Sequence, residues 1–241
     1  FAARSAKERI IEMSYLIALD GTDASGKATQ TALLEKRLSD DGFSVRTVSF
    51  PDYDSPSSGP LKMYLEGKLG KDPNDTSAYA ASVLFAVDRF ASFRSQWRDF
   101  YEKPDGVILL NRYTTSNAVH QLSKIDEPAE KDAFLSWLFD FEYRLLGVPA
   151  PDAVIYLEMP TDISLSLLEK RCKETGAKKD IHEQDARHLY KSHAAALYAC
   201  EKYGWDRIVC GENGKPYSVK EIHEKVFAAF TAHLPKDFPR P

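Results

Sequence analysis

The chain has little of what marks secreted, membrane-spanning and nucleic-acid-binding proteins. Its 241 residues include three cysteines, Cys172, Cys200 and Cys210. An odd number at these spacings fits neither a disulfide framework nor a zinc site, so the thiols are expected to be reduced and packed, and the compartment cytoplasmic. No apolar run approaches the roughly 20 residues that cross a bilayer, so no membrane partner is expected. Nor is there a basic excess: 32 Lys and Arg stand against 36 Asp and Glu, for a formal charge of −4. A nucleic-acid surface normally needs the opposite balance, so no nucleic-acid partner is expected. The first twelve residues mix Arg4, Lys7, Glu8, Arg9 and Glu12 without an apolar core, which is not the pattern of a secretory leader. Met13 reads as a natural start, with 1–13 as an N-terminal extension and 14–241 as a single domain. No internal repeat, low-complexity tract or long linker divides that domain.

What is present is an alternation. With 43% hydrophobic and 28% charged residues, the composition suits one α/β domain with a full-sized core. Short apolar runs at 15–20, 44–50, 106–110, 153–158 and 207–210 read as strands covered on both faces. Longer stretches with helical spacing fall between them, at 27–41, 77–101, 114–123, 130–146, 161–174, 183–203 and 218–233. The alternation predicts a five-stranded parallel sheet with helices on both faces, and puts the active crevice at the carboxyl ends of the strands. Two segments stand apart. Residues 51–75, rich in Pro, Ser, Gly and Asp, read as a substrate loop. Residues 170–182, with Lys170, Arg171, Lys173, Lys178 and Lys179, read as a short basic lid able to close over a transferring group.

The strongest single signal is Gly-Thr-Asp-Ala-Ser-Gly-Lys-Ala at 21–28. It matches the phosphate-cradling pattern Gly-x4-Gly-Lys-Ser/Thr except at its last position, and it lies between a predicted strand and a predicted helix. In that setting the loop amides and the positive end of the helix dipole converge on one anion, and Lys27 adds a charge that reaches the outer phosphates. A glycine turn alone would account for Gly21 and Gly26 but not for Lys27. Phosphoryl transfer also needs cations around an in-line arrangement. Arg112, directly after the third strand in Asn111-Arg112-Tyr113, and Arg89, late in the 77–101 helix, suit bidentate phosphate recognition better than lysine would.

These segments resemble the thymidylate kinase family. Asp-Gly-Thr-Asp-Ala-Ser-Gly-Lys-Ala-Thr at 20–29 is similar to its P-loop, with Asp20 for Glu. Phe50-Pro51-Asp52-Tyr53 resembles its Phe-Pro motif, Leu-Phe-Ala-Val-Asp-Arg at 84–89 its acceptor helix, and Asn-Arg-Tyr-Thr-Thr-Ser-Asn at 111–117 its Asp-Arg-Tyr-x-x-Ser segment. The resemblance implies a P-loop NTPase fold, a homodimer, and phosphorylation of dTMP to dTDP with ATP as donor and Mg²⁺ as cofactor. It implies that Lys27 and the loop residues Gly21, Thr22, Asp23, Ala24, Ser25, Gly26, Ala28 and Thr29 bind ATP, joined by Arg171 from the lid. Arg112 would bridge donor and acceptor phosphates. Arg89 and Tyr53 would hold the dTMP phosphate beside Phe50 and Pro51, while Phe85 stacks on the thymine and Asn117 bonds its edge next to Ser116. Asp23 would meet the 3′-hydroxyl or a water on the metal, with Thr29 and Asn111 as further groups on the metal side. Ala24 stands where one kind of relative keeps a catalytic cation in the P-loop, so Lys178 and Lys179 of the lid are expected to supply it.

Three positions depart from the family pattern. Asn111 replaces Asp and brings no negative charge to Mg²⁺. His120 replaces a Tyr associated with rejecting a ribose 2′-hydroxyl, and Asp52 stands where some relatives have Arg. Two alternatives stay open: another deoxynucleotide or deoxynucleoside kinase on the same fold, and, motivated by Ala28 and Asn111, a nucleotide-binding protein without catalysis.

Overall fold

Strand β1 (Tyr15–Gly21) is buried along its whole length. Its side chains divide between two cores, Tyr15, Ile17 and Leu19 facing one and Leu16 and Ala18 the other, as the two-residue period of a strand requires. The computed structural model describes residues 13–176 and 186–239. After β1 the chain runs through α1 (Lys27–Asp40), β2 (Ser44–Ser49), α2 (Gly59–Leu65), α3 (Ala78–Ser92), α4 (Arg98–Tyr101), β3 (Gly106–Asn111), α5 (Thr114–His120) and α6 (Pro128–Phe139). It continues with β4 (Ala153–Glu158), α7 (Thr161–Thr175), α8 (Ala186–Tyr203), β5 (Asp206–Val209), the hairpin strands β6 (Gly211–Glu212) and β7 (Lys215–Pro216), and α9 (Val219–His233).

The five long strands form one sheet in the order β2-β3-β1-β4-β5, every neighbouring pair parallel. Central β1 pairs with β3 from Tyr15 opposite Val107 to Leu19 opposite Asn111, and with β4 from Ile17 opposite Ala153 to Gly21 opposite Leu157. The alternation of β1 recurs in both neighbours. Ile108, Leu110, Val154 and Tyr156 join Leu16 against Trp97, Phe134, Leu138 and Ala195, while Val107, Leu109, Ile155 and Leu157 join Ile17 against Leu34, Leu38, Ile163, Val226 and Phe230. Each such aliphatic or aromatic side chain contributes about 1.5–3 kcal/mol on full burial. Helices α1, α7 and α9 thus cover one face, and α5, α6 and α8 the other. This is the five-stranded parallel sheet expected from the alternation.

The segment 51–75 is not loop throughout. Ser55 accepts the Ser57 N–H to start a 3-10 turn at Pro56–Ser58, and Pro60 sits in the first turn of α2, where its missing N–H leaves no bond unmade. Leu61, Tyr64 and Leu65 then bury one stripe of α2 against Ala81. The proline and serine content hid a three-residue apolar stripe at helical spacing. The long helices at 77–101 and 130–146 each contain a π-helical turn, at Phe93–Trp97 and Asp140–Leu145; such turns insert a residue and recur at functional positions. The β6–β7 hairpin turns through Asn213 and Gly214, both at positive φ (52° and 75°), the requirement of the tight turn that Asn-Gly favours.

Candidate active site

The glycine loop leaves β1 at Gly21, where an added Cβ would lie 2.5 Å from Ser25 Oγ and 2.7 Å from Leu157 O. Glycine is therefore a steric requirement there. Ala24 and Gly26 follow at φ 55° and 88°, and Gly26 caps α1 without a side-chain bond, so the first N–H groups of a 14-residue helix point into the loop. Lys27 Nζ curls back to Gly21 O (2.9 Å) and Thr22 O (2.6 Å). From behind, the fully buried Asp20 accepts the Gly21 N–H (2.9 Å), the Thr115 hydroxyl (2.7 Å) and the Ser116 hydroxyl (2.8 and 2.9 Å). That carboxylate ties the loop to the start of α5. Ser164 on α7 donates to Asp23 O and closes the other side.

A cleft opens at the carboxyl ends of the strands, the place where parallel α/β sheets bind ligands. Asp23, Phe50, Pro51, Tyr53, Phe85, Arg89, Arg112, Ser116, Asn117, His120 and Arg171 line it together, as do Leu65, Tyr113 and Gln121, which sequence reasoning did not single out. Of the loop residues 21–29, Asp23 alone lines the cleft; Ala28 and Thr29 lie exposed on the first turn of α1, and Asn111 does not line the cleft either. Asn111 Nδ2 donates instead to Ser49 Oγ at 3.3 Å. Lys178 and Lys179 lie outside the described residues.

Arg112 is the junction. Its backbone is left-handed (φ 66°), a conformation that costs of the order of 1 kcal/mol or more in a non-glycine residue, and its N–H donates to Leu19 O at 3.1 Å. The guanidinium pairs with Asp23 of the loop through Nη2 and lies 3.0 Å from His120 Nε2 through Nη1. Because an arginine nitrogen can only donate, Nε2 is the acceptor and the His120 proton sits on Nδ1. Burial, helped by Arg112 and opposed by Asp23, holds the His120 pKa well below its usual value. Burial lowers His193 and His223 as well. For each, the unfolded chain takes up its proton first, so stability present above about pH 6.5 is lost as pH falls through and below that value. The melting temperature should therefore drop between pH 7 and pH 5, and His120→Gln should flatten the slope; an unchanged slope in that variant would remove His120 from the account.

Arg89 and Glu142 are 1% and 0% exposed. Arg89 Nε and Nη2 donate to Glu142 Oε2 and Oε1, both at 2.6 Å, and Nη1 donates to Tyr113 O at 3.4 Å. Burial alone would depress the Arg89 pKa, yet the charge and hydrogen bonds of Glu142 raise it above its ordinary value. Thr114 Oγ1 adds a bond to Glu142 at 2.8 Å. The available signal for Glu142 was a carboxylate four residues after Leu138 and three after Phe139, on the buried stripe of its helix. Neighbouring Asp88 faces the Phe-Pro loop, accepting the Asp52 N–H and the Ser57 hydroxyl at 2.8 Å each. Gln96, in the first π-helical turn, donates to Asp52 at 2.7 Å. Gln121 is fully buried, and neither atom of its carboxamide has a partner among the described residues. A buried amide left in this state at a cleft wall is an unmet donor and acceptor pair.

Comparison with known proteins follows the same lines. A sequence model of the family described as thymidylate kinase matches residues 19–222. The thymidylate kinase of Mycobacterium tuberculosis (strain H37Rv) is 28% identical over 207 residues, covering 83% of this chain and 93% of that protein. The thymidylate kinase of Rhodopirellula baltica is 30% identical over 152 residues, 62% of this chain and 56% of that protein. Among solved structures, the thymidylate kinase from Candida albicans matches with a TM-score of 0.65 at 20% identity, over 91% of this chain and 92% of that one, which shows the P-loop NTPase fold.

Proposed function

The chain belongs to the thymidylate kinase family, and we infer that its cleft converts dTMP to dTDP by taking a phosphoryl group from ATP. The observation that carries this reading is the Arg112–Asp23 pair, which joins the nucleotide loop to the acceptor cleft at one guanidinium. A phosphate oxygen of dTMP attacks the outer phosphorus of ATP, the bond from that phosphorus to the bridging oxygen breaks, and ADP leaves. The loop amides and Lys27 hold the donor phosphates, and Arg112 spans donor and acceptor. Arg171, on α7, lines the cleft, and Lys178 and Lys179 are the further cations assigned to the transferring group. Among the described residues no three His, Cys, Asp or Glu side chains gather into a metal cage. That fits Mg²⁺ carried mainly by substrate phosphates, with Asp23 the carboxylate in the cleft and Thr29 and Asn111 reached through water. When bound, the ion neutralises charge on the outer phosphates.

On the acceptor side, Phe85 would stack on the base, Gln121 and Asn117 would meet its polar edge, Ser116 and His120 would border the sugar, and Tyr53 with Arg112 would hold the phosphate against the Phe50–Pro51 loop. Arg89 is paired with Glu142 into a unit of no net charge. A neutral base carbonyl suits that unit better than a phosphate dianion. The exposed Tyr79, Val87 and Phe90 on α3 support a homodimer through that helix. Burial pushes the Cys200 and Cys210 thiols up to about 12, which keeps them as inert packing groups and suits the cytoplasm. The test is ligand-induced stabilisation. By mass action, dTMP should raise the melting temperature far more than thymidine at equal concentration, and ATP should add to it. Equal shifts with thymidine would refute a monophosphate acceptor.

A further inference from the structure

We infer that Glu142 is the positioning residue that makes Arg89 a fixed, donor-only reader of the acceptor's base; this rests on the reading of the cleft given above. A guanidinium carries five N–H groups. The bonds to Glu142 and Tyr113 O occupy three of them, which leaves two for a ligand in the cleft that Arg89 lines. The hold is two-sided. Glu142 comes from the π-helical turn after α6, while Tyr113 O and the Thr114 hydroxyl come from the start of α5. Asp88, one residue before Arg89, is anchored separately to Asp52 and Ser57. Arg89 therefore has one orientation.

Folding does not demand this pair, since well-packed apolar residues replace buried ion pairs at little or no cost in stability. Direction and charge are what it supplies. A fixed arginine edge offers donors alone, so it accepts the thymine carbonyl and opposes the amino group that cytosine carries in its place. Gln121 cannot make that distinction, because its carboxamide can turn to present either a donor or an acceptor. Glu142 also cancels the Arg89 charge, so a phosphate has less reason to enter the base end of the cleft.

The test is steady-state kinetics of Glu142→Gln with dTMP and dCMP as acceptors. The variant keeps the shape of the side chain but turns one acceptor atom toward Arg89 into a donor. The expected result is a rise of about tenfold or more in KM for dTMP, turnover at saturation within about threefold of wild type, an unchanged KM for ATP, and a fall of about tenfold or more in the dTMP-to-dCMP ratio of kcat/KM. Thr114→Val, which removes one bond to Glu142 and leaves the ion pair, should move the same ratio by about threefold and serves where Glu142→Gln melts below the assay temperature. A ratio unchanged in a folded variant, with both acceptors slowed alike, would reduce Glu142 to a structural role and overturn the inference. Wild-type protein that makes no dTDP would overturn the underlying reading instead.

Discussion

Alanine at Lys27 should lower turnover by about 10³-fold or more, equivalent to about 4 kcal/mol of transition-state stabilisation. Lys27 is 7% exposed and its ammonium is bonded to the carbonyls of its own loop, so it is already held where the outer phosphates would arrive. No rotamer search or desolvation remains for the moment when charge develops on the transferring group. The helix itself should survive, because alanine is the best helix former at the first position of α1, and the lost loop bonds are each worth about 1 kcal/mol. Steady-state assays paired with thermal melts separate the two effects. A folded variant losing less than tenfold would remove Lys27 from the chemistry.

Arg112→Gly should lower turnover by a similar factor, about 10³-fold, while the protein stays folded. The choice of glycine follows from the backbone: at φ 66° glycine is relaxed where alanine is strained. Loss of the guanidinium removes its ion pair with Asp23 and its 3.0 Å contact with His120 Nε2. Donor loop and acceptor cleft then lose the cation that spans them. The KM for both substrates should rise along with the fall in kcat, because one group touches both. Stopped assays at saturating ATP and dTMP, with circular dichroism as the folding control, check it. Near-normal turnover in a folded Arg112→Gly would place the bridging charge elsewhere.

The parts of the fold visible in the sequence were those set by local rules. Continuous apolar runs such as Leu16–Leu19 mark strands buried on both faces, and the capping serines Ser77 and Ser218 begin α3 and α9 by accepting the N–H of Ala80 and Glu221. The glycine loop, Arg89 and Arg112 were legible from phosphate chemistry, whereas the other cleft residues from Tyr53 to Asn117 came from the family resemblance of the segments that hold them. What escaped depends on contacts far apart in the chain. Glu142 is 53 residues from Arg89, and no pattern around either announces the pair. Gln121 stands just past the Asn111–Asn117 segment, and its significance lies in what it fails to bond among the described residues. Helix α2 was obscured by Pro and Ser, residues that break helices inside but start them well at the first turn.

The central claim is that this cleft phosphorylates dTMP. Product formation from ATP and Mg²⁺ against dTMP, dUMP, UMP, dGMP, dCMP and thymidine, separated chromatographically, tests it directly. The account predicts dTDP and ADP in equal amounts, with dTMP preferred over every other acceptor and thymidine inert. ADP release matched to none of the acceptors, or to thymidine in preference to dTMP, would contradict it.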